Sequence, residues 1–261
     1  MGRSRLAYGE ARPLCTGWPP LVGLFWESIK QAVHLLLSGD PFVYQVMLMS
    51  LRVSGIATLI GMIIGIPAGT FLALRRFPGW GTVAAILYTG LSLPPVVVGL
   101  FVYMMLSRQG PLGSLDYLYT VQAMVIAEVI ITAPVIGAIT MAAVGSVPKD
   151  FRLQAMGLGA SRRQSIWMVL KEARVSLFSG IVAGFGAAIS EVGAVMMVGG
   201  NLSIAGHNQT ATMTTATITL ARQGDYSTAM ALGMILLGLA FVITLILIRT
   251  QFGLRNQWLQ Q

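Results

Sequence analysis

Two carboxylates interrupt runs that are otherwise free of charge: Glu128 within an apolar stretch over 119–145, and Glu191 within another over 175–200. A carboxylate in hydrocarbon is expensive and functional by default, so each must turn into a helix bundle or a water-filled cavity. The pair could relay protons, or Glu191 could serve as a structural hydrogen-bonding group inside the bundle. Glu128 could equally snorkel or stay protonated. Thr210, Thr212, Thr214, Thr215, Thr217 and Thr219 add hydroxyl donors without charge. Neutral donors suit the passage of an anion that must not be trapped, and they equally suit helix capping and back-bonding. Pro94-Pro95 removes two backbone donors from an apolar run, which marks either a cavity-lining break or a packing kink. Pro134 reads as a plain kink.

Several chemistries are excluded. A phosphate-binding loop needs Gly-Lys-Ser/Thr, and none of Lys30, Lys149 and Lys171 follows a glycine. Cys15 is the only cysteine, so there is no internal disulfide and no cysteine metal site. His34 and His207 are isolated, and no nucleophile, base and orienter come together.

The elements that hold these groups follow from composition. Apolar residues make up 55 % of the 261 and charged residues 10 %, with mean hydropathy +0.75. A soluble domain carries about 25 % charged residues. The 30 glycines fit helices packed closely in a membrane. The net charge of +8 sits in short breaks between apolar runs, the pattern of loops facing anionic lipid, so nucleic acid is excluded as a partner.

Charge-free or nearly charge-free runs over 53–74, 77–107, 119–145, 175–200 and 226–248 predict five transmembrane helices, each long enough for a core of about 30 Å. Residues 21–38 predict an interfacial helix. Leu21, Leu24, Phe25, Ser28, Ala32, Leu35 and Leu36 share one face, with Glu27, Lys30 and Gln31 away from it. A sixth span there is the alternative. Ten Lys and Arg fall in loops on one side (75, 76, 149, 152, 162, 163, 171, 174, 249 and 255), and Arg108 and Arg222 on the other. This asymmetry predicts a cytoplasmic 146–173 loop and C-terminus, with 201–225 facing outward. Gly61, Gly65 and Gly69 share a helix face, as do Gly180, Gly184 and Ala188, for packing within the chain or along a dimer seam.

The chain therefore divides into a 1–20 extension without the apolar core of a signal peptide, a 21–45 amphipathic lead-in, a 46–248 membrane domain, and a 249–261 tail. The 146–173 loop is too long and charged for a simple turn. It predicts two short helices, Asp150 to about Leu158 and Ser161 to about Glu172, parted at Gly159. Such a lobe either docks a cytosolic partner or is a solvated loop.

Residues 148–161, Pro-Lys-Asp-Phe-Arg-Leu-Gln-Ala-Met-Gly-Leu-Gly-Ala-Ser, resemble the signature cytoplasmic loop of ABC importer permeases. The family pattern runs Glu-Ala-Ala, three residues, Gly, nine residues, an aliphatic, one residue, Leu-Pro. Aligned on Gly159, Ala155 matches the second Ala and Val169 the aliphatic. Leu153, Gln154, Lys171 and Glu172 depart from the Glu, the first Ala, the Leu and the Pro. From about Leu37 to Ile248 the chain is similar to the tungstate-type branch of the oxyanion importers. The stretches that carry this are 37–41, 50–54, 74–78, 93–100, 107–113 and, above all, 188–201, Ala-Ile-Ser-Glu-Val-Gly-Ala-Val-Met-Met-Val-Gly-Gly-Asn.

The resemblance implies an all-α integral membrane permease in the cytoplasmic membrane, paired with a second copy of itself. Two cytosolic ABC ATPases would bind ATP and Mg²⁺ beneath it, and an extracytoplasmic binding protein would deliver the oxyanion. The chain itself would be no enzyme and would hold no cofactor or metal. The expected ATPase-coupling residues are Arg152, Leu153, Gln154, Ala155, Met156, Gly157, Gly159, Ala160 and Ser161. The pathway-lining candidates are Ser92, Pro94, Pro95, Ser190, Glu191, Thr214 and Thr215. A molybdate or sulfate permease is the neighbouring reading. A proton-coupled carrier using Glu128 and Glu191 is the competing class, and it leaves the 146–173 loop without a purpose.

Overall fold

The computed structural model describes residues 21–256 apart from 202, 205, 206 and 209. The expected 1–20 extension and the last residues of the tail lie outside them. Among the described residues there are eleven α-helices: α1 (Leu21–Leu37), α2 (Pro41–Leu74), α3 (Trp80–Thr89), α4 (Pro95–Leu106), α5 (Val121–Gly145), α6 (Lys149–Gly157), α7 (Arg162–Glu172), α8 (Arg174–Ile189), α9 (Gly193–Gly199), α10 (Met213–Arg222) and α11 (Tyr226–Asn256). The all-helical expectation holds, with one short antiparallel pairing, Ser203–Ile204 with His207–Asn208, before α10.

Helices α2, α5 and α11 are long and apolar enough to cross a membrane. The count reaches five if two bent pairs, α3 with α4 and α7 with α8, each form one span. The run 77–107, expected as one broken span, is two helices at 105°. Proline explains this turn. Pro95 clashes with a helical preceding residue, so Pro94 is extended (φ −64°, ψ 118°), and Pro95 then starts α4 at a position where no N–H is needed. The run 175–200 also divides, into α8 and α9, parted by Ser190, Glu191 and Val192. Helix α11 runs on to Asn256, past the tail boundary expected at 248.

Helix α1 is 17 residues long, short of the roughly 20 a span needs. Ser28 and Ala32 are buried as the pattern predicts. Gln31 is not turned away. Its side chain donates to Thr228 Oγ1 at 2.9 Å and accepts from the Ser227 hydroxyl, which ties α1 to the start of α11. Asp40 then caps α2, accepting from Phe42 N at 2.8 Å, with Pro41 in the first turn.

Helix α5 is the hub. A Cβ on Gly65 of α2 would fall 2.7 Å from Ala133 O, and one on Gly61 2.9 Å from Thr132 Oγ1. On another side, a Cβ on Gly184 of α8 would meet Ile136 Cγ1 at 2.6 Å. Both glycine faces are therefore spent inside the chain, where small residues let backbones approach. The largest core joins Val53 of α2, Val98 and Val102 of α4, Met124 and Ala127 of α5, and Val195 and Val198 of α9. A second core joins α1, α2, α10 and α11 around Val46, Met213 and Leu232.

Candidate functional site

Two regions hold the predicted residues. The first is the α6–α7 lobe. Helix α6 ends with Leu158 N donating to Gln154 O and Ala160 N donating to Ala155 O, both at 3.0 Å. Gly159 then takes φ +90°, a conformation that glycine adopts without strain. Ser161 opens α7 with a capping box: Gln164 N donates to Ser161 Oγ at 3.3 Å, and Ser161 N donates to Gln164 Oε1 at 2.8 Å. The predicted pair of helices and their breakpoint are both present.

One face of this lobe is anchored. Val169, Ala173 and Leu177 pack on Ala143 and Val144 at the end of α5, and Ala155 is buried. The other face is bare. Leu153, Gln154, Met156, Gly157, Gly159 and Ser161 are exposed, with Leu158 90 % exposed and Trp167 69 %. Arg152 and Ala160 are half-buried. A groove of about 700 Å³ runs between the helices, lined by Ala155, Leu158, Gly159, Ala160, Arg163, Gln164, Trp167 and Met168. Trp167 carries much of that apolar surface and was missed. Its place on α7 four residues from both Arg163 and Lys171, on a charged helix face, was the available signal.

The second region is where two helix breaks meet. A Cβ on Gly193, at the start of α9, would fall 2.6 Å from Val96 Cγ2 at the start of α4. The Pro94-Pro95 break and the Ser190–Val192 break are thus side by side. Ser92, Pro94 and Ser190 are exposed, Pro95 is half-buried, and Glu191 is buried. Glu191 Oε1 accepts from Ala194 N at 2.9 Å, filling an open donor of the first turn of α9. Its backbone carbonyl accepts from Thr214 Oγ1 at 3.0 Å. The structural reading of Glu191 holds in that sense.

The threonines are spent locally. Thr212 and Thr215 form a capping box at the start of α10, and Thr215 also donates to Asn201 Oδ1 at 2.9 Å. Asn201 donates onward to Thr219 Oγ1 at 2.8 Å. Thr217 and Thr219 bond back to Met213 O at 2.7 Å and Thr215 O at 2.9 Å, and Thr210 donates to Gly199 O. Capping and back-bonding account for Thr212, Thr217 and Thr219, whereas Thr210, Thr214 and Thr215 also tie α10 and its lead-in to Gly199, Glu191 and Asn201. Thr214 and Thr215 are buried, so they stand behind the exposed break residues.

Glu128 on α5 is 2 % exposed. Its Oε2 has no hydrogen-bond partner among the described residues. Ser50, one turn before Ser54, accepts from Met213 N at 2.8 Å. Ser50, Ser54 and Asn201 are further polar members of this region. The four-residue spacing of the two serines in an apolar helix was the signal that could have found them. A separate cavity of about 530 Å³ lies between α4 and the end of α9, lined by Leu100, Tyr103, Tyr119, Met196, Met197 and Gly200. Tyr103 and Tyr119 meet edge to face at 6.4 Å.

Residues 65–255 match the family described as the binding-protein-dependent transport system inner membrane component, and the chain belongs to that family. It is a multi-pass membrane protein, the permease component of an ABC importer. It is 39 % identical to the tungstate uptake system permease protein TupB of Peptoclostridium acidaminophilum, over 86 % of this chain and 97 % of that one. It is 38 % identical to a probable anion ABC transporter permease protein of Haloferax volcanii, over 76 % and 86 %. Among solved structures, a bacterial transporter that imports the polysaccharide alginate superposes with TM-score 0.70 at 20 % identity, covering 88 % of this chain and 87 % of that one. At that identity the superposition speaks for the fold. Membership in this family removes the ground for the proton-coupled carrier.

Proposed function

We propose that this chain is the membrane-spanning permease of an ATP-driven oxyanion importer and that its cargo is tungstate. The observation that carries this is the 39 % identity to a tungstate permease along 97 % of that protein's length. Molybdate is the second cargo to consider, because the chain is also 32 % identical over 175 residues to the molybdate/tungstate permease WtpB of Thermococcus kodakarensis.

In this reading two copies pair in the cytoplasmic membrane around the pathway. The α6–α7 lobe and the C-terminus face the cytoplasm, and 201–225 face outward. The lead-in over 21–45 ends earlier than the sequence suggested, at Asp40, the cap of α2, and the permease domain runs from α2 through α11. Two ABC ATPases, binding ATP and Mg²⁺ themselves, seat against the bare face of α6 and α7. This chain supplies neither nucleotide site nor cofactor. A binding protein delivers the anion from outside.

The anchored face of the lobe, Val169 and Ala173 against Ala143 and Val144, offers a route for ATPase motion into α5 and α8. Helix α8 ends at Ile189 with Ser190 as its cap, so displacement arrives at the paired breaks, where Ser92, Pro94, Pro95 and Ser190 are the candidates to line the pathway. Irregular backbone is tolerated at membrane depth where it lines such a cavity.

The deciding measurement is reconstitution with the cognate ATPase. Tungstate-loaded binding protein should stimulate ATP hydrolysis, and an unloaded one should not. Equal hydrolysis with both would sink the proposal. For the lobe, Gly159→Glu should insert normally yet abolish transport and weaken ATPase co-purification, since it places a charged side chain at φ +90° on the docking face. Wild-type transport by that variant would move the coupling site elsewhere.

A further inference from the structure

The turn from α2 to α3 carries a cationic surface that the transport reading leaves unused. Its sequence is Arg75-Arg76-Phe77-Pro78-Gly79-Trp80, and both arginines are exposed. The guanidinium carbon of Arg76 lies 3.4 Å from the centroid of the Trp80 ring, and that of Arg75 lies 5.6 Å from the Phe71 ring. The Trp80 platform is fixed. Its Nε1–H donates to Leu72 O at 2.7 Å, and the ring packs with Leu72, Ala84, Met141 and Phe77. That bond also satisfies a carbonyl in the last turn of α2.

A guanidinium lying on a ring gives its face to the ring and keeps its N–H edge outward. This edge is the part that grips two oxygens of a phosphate in one plane. Among the described residues no carboxylate pairs with either arginine. The patch follows directly on the charge-free run 53–74 of α2, itself long enough to cross the core, which argues that it stands where that run leaves the hydrocarbon. Tryptophan concentrates at that depth, and a basic residue there meets the phosphates of anionic lipid.

We propose that Arg75, Arg76 and Trp80 form a binding site for the phosphodiester headgroup of an anionic phospholipid. Phosphatidylglycerol is the probe. The site does not depend on which anion is carried or on which side of the membrane the lobe faces.

The test uses the permease–ATPase complex in nanodiscs containing trace spin-labelled phosphatidylglycerol or phosphatidylcholine, read as the motionally restricted lipid fraction. The wild type should prefer phosphatidylglycerol, and Arg75→Gln/Arg76→Gln should lose about fivefold of that preference per arginine. Arg76→Lys keeps the charge without the stacked edge and should lose part of it. Arg108→Gln, beyond α4, should lose none. Should the double variant fail to assemble, Arg76→Lys alone decides, and full preference there overturns the site. An unchanged preference in the double variant would mean that the arginines only complement the carbonyl end of α2. Loss of ATPase co-purification with lipid preference intact would assign the patch to the ATPase. Displacement of the labelled lipid by inorganic phosphate would make it a free-anion site. Each of these three results overturns the proposal.

Discussion

The two helix breaks that meet at Gly193 and Val96 are made by different means. The break before α4 is covalent: Pro95 disfavours a helical Pro94, and the adjacent prolines together remove two backbone donors. The break before α9 is tertiary. Ser190, Glu191 and Val192 could all be helical, and the chain turns there because Glu191 finds Ala194 N and Thr214 finds the Glu191 carbonyl. A covalent break is autonomous and keeps its shape when its neighbours move. A tertiary break depends on partners from α10 and can change when they do. Of the two, the Glu191 break is the one able to respond to a signal arriving along α8.

The largest test of that contrast is Glu191→Leu. It leaves the Ala194 N–H without an acceptor in a buried setting, at a cost of about 1–3 kcal/mol. The expected outcome is loss of transport and a lowered thermal midpoint of the complex in detergent, with Glu191→Gln recovering part of both. Next comes Pro94→Ala/Pro95→Ala. The bend is also held by Gly90, set so closely against Pro134 that no Cβ fits, and by Gly193 against Val96. The double variant should therefore change stability by less than about 1 kcal/mol and reduce transport without abolishing it. A loss as large as that of Glu191→Leu would erase the distinction. The smallest effect should come from Thr217→Val. Its hydroxyl serves only Met213 O of its own helix, so transport and thermal midpoint should stay within about 0.5 kcal/mol of wild type.

The same contrast governs what was legible in the sequence. Local chemistry could be read: the pause at Pro94-Pro95, the Gly159 turn, the start of α7 at Ser161, and the apolar lengths of α2, α5 and α11. The 105° turn could not be read, because proline removes a helix without saying where the chain goes next. Nor could the division of 175–200, since hydropathy is blind to a hydrogen bond from Thr214, 23 residues downstream of Glu191. Gln31 looked polar and therefore outward, and was inward because Ser227 and Thr228 were waiting for it. The glycine spacings announced close packing but not the partner. That partner, one helix serving both faces, emerges only in three dimensions.

That shared partner limits how the protein can deform. Helix α5 rises about 1.5 Å per residue, and a Cβ on Gly65 would already lie 2.7 Å from Ala133 O. Sliding α2 along α5 by a single residue would drive Ile136, whose Cβ lies 3.1 Å from where a Gly65 Cβ would stand, into backbone that now has room only for hydrogen. The α2–α5–α8 unit therefore has little axial slack. Compliance is left to the segments beyond the interlock. In the proposed transport reading, this interlocked unit is the part that would carry a push from the α6–α7 lobe.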